Sequence, residues 1–566
     1  MTVSKKRYTV RKQTHNKTVR SSKFNTELCD NRMTFQECEM AILRHSVDES
    51  EKQMGEKTAN STEVVKMIRI VEEFLMKKKL VCYGGTAINN ILPKTEQFYD
   101  KNVEIPDYDF FSPNALEDAK ELSDIYYQNG YDEVEAKSGV HDGTYKVFVN
   151  FIAVADITYL PPTLYDAIKK DSINVAGIRY APPNYLRMGM FLELSRPAGD
   201  VSRWEKVLKR MNLLNKFYPL KNDFKCSALE LQRNIKQNKV FAEKLYFLTR
   251  DSFIDQGVVF FGGYAASLYI KHIDVERHKR TPDFDVLAED PEKCAKLLVE
   301  SLRENGVKHI RLVQHTPLGE VVPEHIEVIV NKETIAFIYK PVACHSYNTI
   351  TIEDKEINIA TIDTMLSFYL AFLYANKKYY DKKRILCMSM FLFQVQQQNR
   401  LQQKGLLKRF STKCYGTQAT MESIRARKAR QYNTLSKNRN SKEFETAFLK
   451  YNPASNPGIV RGSMKEKHTP KTVRQTHEIR IDTHTRPPVS TDTRRKSPRR
   501  IQSKSYRKNS LGKNTYKNKN TPIKKPEEEE VHEDPEEEEE VQEETPSKTL
   551  SIPKKSWLEM LRSKND

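Results

Sequence analysis

The chain has 566 residues, enough for two or three domains, and 38% of them are hydrophobic, enough to bury a core. Its formal net charge of +19 is uneven: residues 404–525 hold 32 Lys+Arg against 7 Asp+Glu, whereas 13 of the 18 residues at 527–544 are acidic. The longest apolar run, near 257–270, is too short to span a bilayer, so we expect a soluble protein with no membrane partner.

The first half of the chain alternates helical and strand patterns. A basic mobile arm is predicted at 1–33, and apolar residues then recur at spacings of three and four between 34 and 80, which predicts helices. KLVCYGG (79–85) reads as a short apolar strand that ends at glycines. A strand follows at 107–111, then a helix closed by Asn-Gly, one or two strands within 145–160, and further helices.

The second half repeats this order. GVVFFGG (257–263) is again strand-like and ends at glycines, and residues 109–131 align without a gap with residues 285–307. Such internal similarity predicts two tandem copies of one α/β (α+β) domain, each a small mixed sheet with helices. We place the first copy, with its N-terminal helices, at 34–225 and the second at 226–405.

The C-terminal part has a different composition. Beyond residue 406, Ser, Thr, Asn, Lys and Arg replace the apolar periodicity, and such a segment cannot bury enough surface to offset chain entropy. We therefore predict a mostly disordered tail at 406–566, basic and then acidic. A basic tail fits a polyanion such as nucleic acid, although a solvated extension is an equal alternative.

The eight cysteines are scattered along the chain, with no CxxC pair or Cys/His cluster at metal spacing. This pattern predicts reduced, intracellular thiols, and it favours neither a disulfide framework nor a zinc site.

Three acidic residues of the first copy follow its glycine pair. Gly84 and Gly85 stand at a strand-to-helix junction where backbone amides can approach phosphates, although an isolated pair is more often only a tight turn. Asp107 and Asp109 alternate on a strand, so both carboxylates face one side. Asp156 interrupts an apolar strand, where an acid is rarely placed unless it is paired or bound to a metal.

Oxygen ligands suit Mg²⁺ or Mn²⁺, so the three carboxylates predict a two-metal phosphoryl-transfer site. A solvated strand end and an acid at a strand exit are the alternatives for the individual residues.

The second copy keeps the glycine pair and the Asp-x-Asp, at Asp283 and Asp285, but not the third carboxylate. Aligning 154–162 with 334–342 puts Ala336 opposite Asp156, and Glu327 or Glu333 could replace the missing ligand only in a different register. We therefore predict a catalytically silent second copy, kept for packing or RNA contact.

The pattern GGTA, DYD and a strand Asp resembles the nucleotidyltransferase superfamily of DNA polymerase beta type. The segment MGMFLELSRPAGDVSRWEKVLKRMNLLNKFYPL (188–220) is similar to poly(A) polymerase catalytic subunits of large nucleocytoplasmic DNA viruses, most of all the mimivirus group. The resemblance covers about 30–400. The gap between Gly85 and Asp107 is longer than usual in the superfamily, so we expect an inserted loop there.

The resemblance implies an ATP:RNA adenylyltransferase that adds poly(A) to mRNA 3′ ends. Asp107 and Asp109 would hold two Mg²⁺ or Mn²⁺ ions, Asp156 would complete the site of the ion that activates the RNA 3′-hydroxyl, and Gly84, Gly85 and Thr86 would hold the triphosphate of ATP. It further implies a homodimer in the host cytoplasm, at the viral factory, with packaging in the virion left open.

Cations and aromatic residues of 180–206 are additional candidates. Arg196, Arg203 and Lys206 could contact triphosphate or RNA backbone, or form surface ion pairs, and the aromatic side chains there could stack on adenine or belong to the core. Three alternative functions stay open. The protein could be an RNA nucleotidyltransferase that adds CMP or UMP, or a nucleotidyltransferase that modifies small molecules. It could also be a non-enzymatic nucleic-acid-binding protein, which the three acids disfavour.

Overall fold

The fold is known from a computed structural model that describes residues 27–29, 32–100, 102–220, 226, 239–272 and 282–462. The predictions for residues 1–26 and for the tail beyond 462 lie outside these ranges. In the described part of the chain, no helix combines the length and apolar character needed to cross a bilayer.

The described residues form fourteen α-helices. They are α1 (Phe35–Ala59), α2 (Thr62–Lys78), α3 (Gly84–Ile91), α4 (Ala115–Gln128), α5 (Pro162–Lys170), α6 (Pro183–Leu194), α7 (Trp204–Phe217), α8 (Lys239–Asp255), α9 (Gly263–Tyr269), α10 (Pro291–Glu304), α11 (Ile362–Phe372), α12 (Lys382–Gln398), α13 (Met421–Leu435) and α14 (Lys442–Phe448).

Sixteen strands accompany them within the described ranges. They are β1 (Val81–Cys82), β2 (Tyr108–Ser112), β3 (Val134–Ser138), β4 (Thr144–Val149), β5 (Ile152–Tyr159), β6 (Ile173–Val175), β7 (Ile178–Tyr180), β8 (Val259–Phe260), β9 (Phe284–Leu287), β10 (Ile310–His315), β11 (His325–Val330), β12 (Glu333–Tyr339), β13 (His345–Ile352), β14 (Lys355–Ala360), β15 (Cys414–Tyr415) and β16 (Lys450–Tyr451).

The strands form two mixed sheets that share the order of seven strands and carry their eighth, β16 or β15, on opposite edges. Sheet A has the order β16-β3-β4-β5-β2-β1-β7-β6, and sheet B has the order β10-β11-β12-β9-β8-β14-β13-β15. The central pair is parallel in both, β2 with β5 and β9 with β12, and the glycine-bearing strands β1 and β8 run antiparallel to β2 and β9. The predicted α/β fold with two tandem copies is confirmed, whereas the boundaries at 225 and 405 stay predictions.

Helix α2 shows how the helices settle on sheet A. Ser61 caps its start by accepting a hydrogen bond from the backbone N–H of Val64, and the helix ends at Lys79 in the left-handed region. Its residues Met67, Val71, Phe74 and Leu75 recur on one face and are buried. This stripe and the matching stripe of α4 cover one face of the sheet, so the polar residues of β4 and β5 lie on the other.

The disordered tail predicted from residue 406 is wrong for its first part. Residues 414–415 and 450–451 add an edge strand to each sheet, and α13 and α14 lie between them. The Tyr451 hydroxyl donates to Asp124 (2.6 Å) and the Lys428 ammonium to the carbonyl oxygen of Gly139 (2.6 Å). This segment has little core of its own and is ordered by docking on the sheets, which apolar periodicity does not report.

The prediction of reduced thiols is wrong for six of the cysteines. The structure pairs Cys29 with Cys38, Cys226 with Cys387, and Cys344 with Cys414, while Cys82 and Cys294 are free and buried. The paired residues are 9, 161 and 70 positions apart, so chain spacing gave no sign of them. The last pair also ties β15 to the start of β13.

Candidate active site

The glycine turn of the first copy lies against the carboxylates. Gly84 has φ +73°, and a Cβ there would lie 2.5 Å from an Asp109 carboxylate oxygen. A Cβ on Gly85 would lie 2.5 Å from the Tyr99 hydroxyl, so a side chain there would displace that hydroxyl, whereas at Gly84 the positive φ itself disfavours a side chain. Helix α3 begins at this turn, and Tyr83 before it provides no side-chain cap. The first N–H groups of α3 are therefore donors suited to an anion.

The register of sheet A places two of the predicted carboxylates side by side. Asp109 of β2 and Asp156 of β5 are directly paired, and Asp107 lies two residues earlier on the same face as Asp109. Thr86 donates its hydroxyl to the Asp107 carbonyl oxygen (2.7 Å), and the Tyr83 N–H donates to that of Asp109 (2.9 Å). The Thr86 hydroxyl thus positions Asp107, a contact different from the predicted one to phosphate.

Burial and mutual repulsion disfavour charge on these carboxylates. The pKa of Asp109 is raised to about 7 by burial and then by the neighbouring charges of Asp107 and Asp156. The pKa of Asp107 is raised by burial and by Asp156. Lys146 of β4 opposes both shifts and forms an ion pair with Asp156.

These residues fit a divalent cation. The second carboxylate oxygen of Asp156, Oδ1, is buried and has no hydrogen-bond partner. All the candidate metal ligands are carboxylate oxygens, and a cation would neutralise the like charges that lie close together here. Nevertheless, no three acidic, His or Cys side chains in the described ranges are gathered as a ready metal site. Lys146 pairs with the other oxygen of Asp156, so a cation bound by Asp107, Asp109 and Asp156 would use the partnerless Oδ1 or displace the ammonium group.

The three predicted cations occupy different surroundings. Arg203 pairs with Glu193 (3.0 Å), and its charge still lowers the pKa of Asp109, so it lies within electrostatic reach of the site. Lys206 is exposed on α7. Arg196 is half-buried beside His345 of β13, whose imidazole pKa is lowered by burial and then by the Arg196 charge, and the Arg196 Nε has no hydrogen-bond partner.

Arg210 is a further residue at this site, and no motif in the sequence indicated it. Its guanidinium donates to the Tyr99 hydroxyl (2.6 Å), rests over the rings of Phe98 and Tyr99, and would lie 2.9 Å from a Cβ on Gly85. Phe98 and Tyr99 belong to the expected loop between Gly85 and Asp107. The available signal was position, because Arg210 lies one helical turn after Lys206 on α7.

The candidate aromatic residues belong to the core or its edge. Tyr180 and Tyr185 are buried, and the Tyr185 ring packs edge-on against Phe111. Trp204 donates its indole N–H to the Glu193 carbonyl oxygen (3.0 Å). We therefore assign none of the three to adenine.

The second copy satisfies its own charges. Arg384 of α12 binds both carboxylate oxygens of Asp283 (2.9 and 2.7 Å), and Asp283 is 1% exposed. The Gly263 N–H, at the start of α9, donates to the same carboxylate (3.2 Å). Asp283 is thus neutralised by a cation of the same copy, whereas burial and the charge of Asp156 raise the pKa of Asp107, its counterpart in the first copy.

The register also corrects the alignment of the copies by one residue. Asp285, the counterpart of Asp109, pairs with Phe337, and Ala336 pairs with Phe284. Phe337 therefore stands where the first copy has Asp156. Glu327 is one strand further along, in the place of Lys146, and it accepts hydrogen bonds from Thr334 and His315. The inference that this position lacks a carboxylate holds, but on Phe337.

Residues 69–200 match the family described as "Poly(A) polymerase catalytic subunit". The predicted resemblance is confirmed. This poly(A) polymerase match contains the glycine turn and all three carboxylates of the site.

Individual viral proteins agree with the poly(A) polymerase match. One from African swine fever virus, named as a poly(A) polymerase catalytic subunit, is 39% identical over 169 residues, which are 29% of this chain and 35% of that one. One from Acanthamoeba polyphaga mimivirus with the same name is 32% identical over 226 residues, 38% of each chain. The matched segment thus spans little more than a third of these relatives' length.

A solved structure extends the similarity in fold. The crystal structure of the Megavirus polyadenylate synthase matches with a TM-score of 0.63 at 22% identity, covering 76% of this chain and 88% of that one. The match includes far more than the segment recognised in sequence, so both sheets belong to a known arrangement.

Proposed function

We propose that this chain is a template-independent polynucleotide adenylyltransferase. It adds a poly(A) tail to mRNA 3′ ends by transferring AMP from ATP and releasing pyrophosphate. The observation that carries the proposal is the pairing of Asp109 with Asp156 beside the Gly84 turn, inside the segment that matches poly(A) polymerase catalytic subunits.

The chain's own residues divide the work by position. The N–H groups at the start of α3 and the guanidinium of Arg210 face the triphosphate of ATP, and Arg203 adds positive charge nearby. The carboxylates of Asp107, Asp109 and Asp156 would hold two divalent cations. When bound, such ions lower the pKa of an attacking hydroxyl and neutralise charge on the leaving group.

The transfer is an in-line displacement. The RNA 3′ oxygen bonds to the α-phosphorus of ATP, the bond from that phosphorus to the bridging oxygen breaks, pyrophosphate leaves and the hydroxyl proton is released. The protein contributes alignment and charge neutralisation, which are the main sources of catalysis in phosphoryl transfer.

A nucleotide panel tests the proposal. Purified full-length protein is incubated with a short RNA primer, Mg²⁺ or Mn²⁺, and each NTP in turn, and the products are resolved by length. We expect a long ladder with ATP alone. A CMP- or UMP-adding enzyme would extend with CTP or UTP instead, and no extension with any NTP, or equal extension with all four, would contradict the proposal.

The resemblance supports two further proposals about the protein's state. We propose that it is a homodimer and that it works in the host cytoplasm at the viral factory. Light scattering after size exclusion measures the first, and a monomer mass would overturn it. Imaging of the tagged protein in infected cells checks the second.

A further inference from the structure

A row of directly paired residues crosses sheet A from the carboxylates to the sheet edge. Asp109 pairs with Asp156, Asp156 with Lys146, Lys146 with Lys137, and Lys137 with Lys450 of the edge strand β16. Paired residues share one face of a sheet, and neighbouring strands are about 4.8 Å apart. Three ammonium groups therefore follow the carboxylates in line. We call Lys146, Lys137 and Lys450 the lysine row.

The lysine row is accessible and its middle member is held in place. The side chains of Lys146 and Lys137 are 36% and 45% exposed, and Lys450 is exposed. Lys137 lies over the ring of Phe148 (4.1 Å to its centroid) and contacts Glu135 (3.2 Å). The alternate residues of β4, Tyr145 and Val147, are buried on the helix-covered face.

The order of strands gives the row a direction. The glycine turn follows β1, on one side of Asp109, whereas Asp156 and the lysine row lie on the other side. With the triphosphate at the glycine turn, the attacking hydroxyl comes from the side of Asp156. The chain that carries this hydroxyl therefore leaves over β4, β3 and β16, and it is a polyanion.

We propose that the lysine row binds the phosphodiester backbone of the RNA primer next to its 3′ end. This inference rests on the proposed function, because it takes the primer's direction from the site. Lysines contact phosphates as point charges and carry no base information, which suits a primer whose sequence changes from message to poly(A). Lys450 comes from the segment that docks on sheet A, so that segment completes the primer site.

Binding without catalysis tests the lysine row directly. Anisotropy of a labelled RNA primer is measured with full-length Lys137→Gln/Lys450→Gln, without ATP or divalent cations, at several salt concentrations. We expect affinity to fall about threefold for each lysine, roughly tenfold in all. The slope of log K against log salt should become shallower by about 0.7 for each lost phosphate contact.

Two variants serve as controls. Lys355→Gln removes a lysine of similar exposure (48%) from a strand of sheet B, where it pairs with Asp255, and it should change neither quantity. Lys137→Arg/Lys450→Arg keeps both charges and should bind like the wild type. In steady-state extension, the glutamine variant should raise KM for the primer and not KM for ATP.

The outcomes separate this inference from the proposed function. Wild-type protein that extends RNA, together with a glutamine variant that matches it in affinity and salt slope, overturns the lysine row and leaves the function standing. Failure of the wild type in the nucleotide panel overturns the function whatever the binding result. A thermal melt confirms that the glutamine variant is folded.

Discussion

The two sheets share the order of seven strands but carry different side chains along the same row. In sheet A the row reads Asp109, Asp156, Lys146, Lys137, and in sheet B the corresponding positions are Asp285, Phe337, Glu327, Val313. The first row is charged and partly open to solvent. The second is closed by rings, since Phe337 packs against His325 and Tyr379.

In sheet B the charges at this place are satisfied within the fold. Arg384 pairs with Asp283, and the Asp283 carboxylate accepts a hydrogen bond from the Gly263 N–H at the start of α9. In sheet A, burial and the repulsion of neighbouring carboxylates raise the pKa of Asp109. The Asp-x-Asp is kept in both copies, but for different physical reasons.

The largest effect should come from the third carboxylate. Asp156→Asn should lower the extension rate about 10³-fold or more, because the site loses a charged oxygen where the primer hydroxyl is activated. Primer extension under saturating ATP measures this effect.

Glu327→Gln is the matched control, since Glu327 is directly paired with Phe337, the residue in the place of Asp156, and Gln keeps nearly the shape of Glu. It should extend like the wild type. A comparable loss of extension rate in both variants would mean that both copies take part in the chemistry, which contradicts the assignment of catalysis to sheet A alone.

The second prediction is that replacing an aspartate by asparagine changes the free energy of unfolding in opposite directions in the two copies. Asp283→Asn removes the buried carboxylate charge that faces the half-buried Arg384 guanidinium and should lower the free energy of unfolding by about 3 kcal/mol. Asp109→Asn removes a carboxylate that its surroundings disfavour, so it should raise stability in EDTA. Denaturant melts measure the free energy of unfolding of both variants, with Arg384→Gln as the control that removes the partner of Asp283. A loss of stability in Asp109→Asn would contradict it.

A third effect follows from the pKa of Asp109, raised from 3.8 to about 7. Between these values the folded state binds more protons than the unfolded state, so this contribution to stability is complete below about pH 4 and is lost as pH rises through 7. In EDTA, the wild type should lose about 2 kcal/mol more than Asp109→Asn between pH 5 and 8, since water reaches part of the carboxylate. Parallel pH profiles would show that the pKa is not raised.

The sequence predicted the repeat and the three carboxylates because both depend on local patterns. A strand that ends at glycines, an alternating Asp-x-Asp and an acid in an apolar strand are each visible within a few residues. The counterpart of Asp156 was harder to predict, because a gapped sequence alignment that lacks the strand register can be wrong by one residue. Phe337, and not Ala336, occupies that place.

Other features depend on contacts between distant parts of the chain. Arg210 meets Gly85 across 125 positions, and the edge strand at 450–451 joins residues far upstream. Apolar periodicity in the sequence indicates neither feature, because each is held by a few polar or backbone contacts. The same holds for the cysteine pair 226–387.

The smallest effect should come from Lys146, the residue that links the carboxylates to the lysine row. Lys146→Met leaves Asp156 without its counter-charge, so in EDTA the variant should be about 1 kcal/mol less stable than the wild type. Added Mn²⁺ should then raise its melting temperature more than that of the wild type, because no ammonium competes for the Asp156 carboxylate.

Lys355→Met, which removes a strand lysine from sheet B, should respond to Mn²⁺ like the wild type. An equal response in Lys146→Met would mean that the ion pair and the cation occupy different oxygens of Asp156, and the partnerless Oδ1 would then be the metal-binding atom by itself.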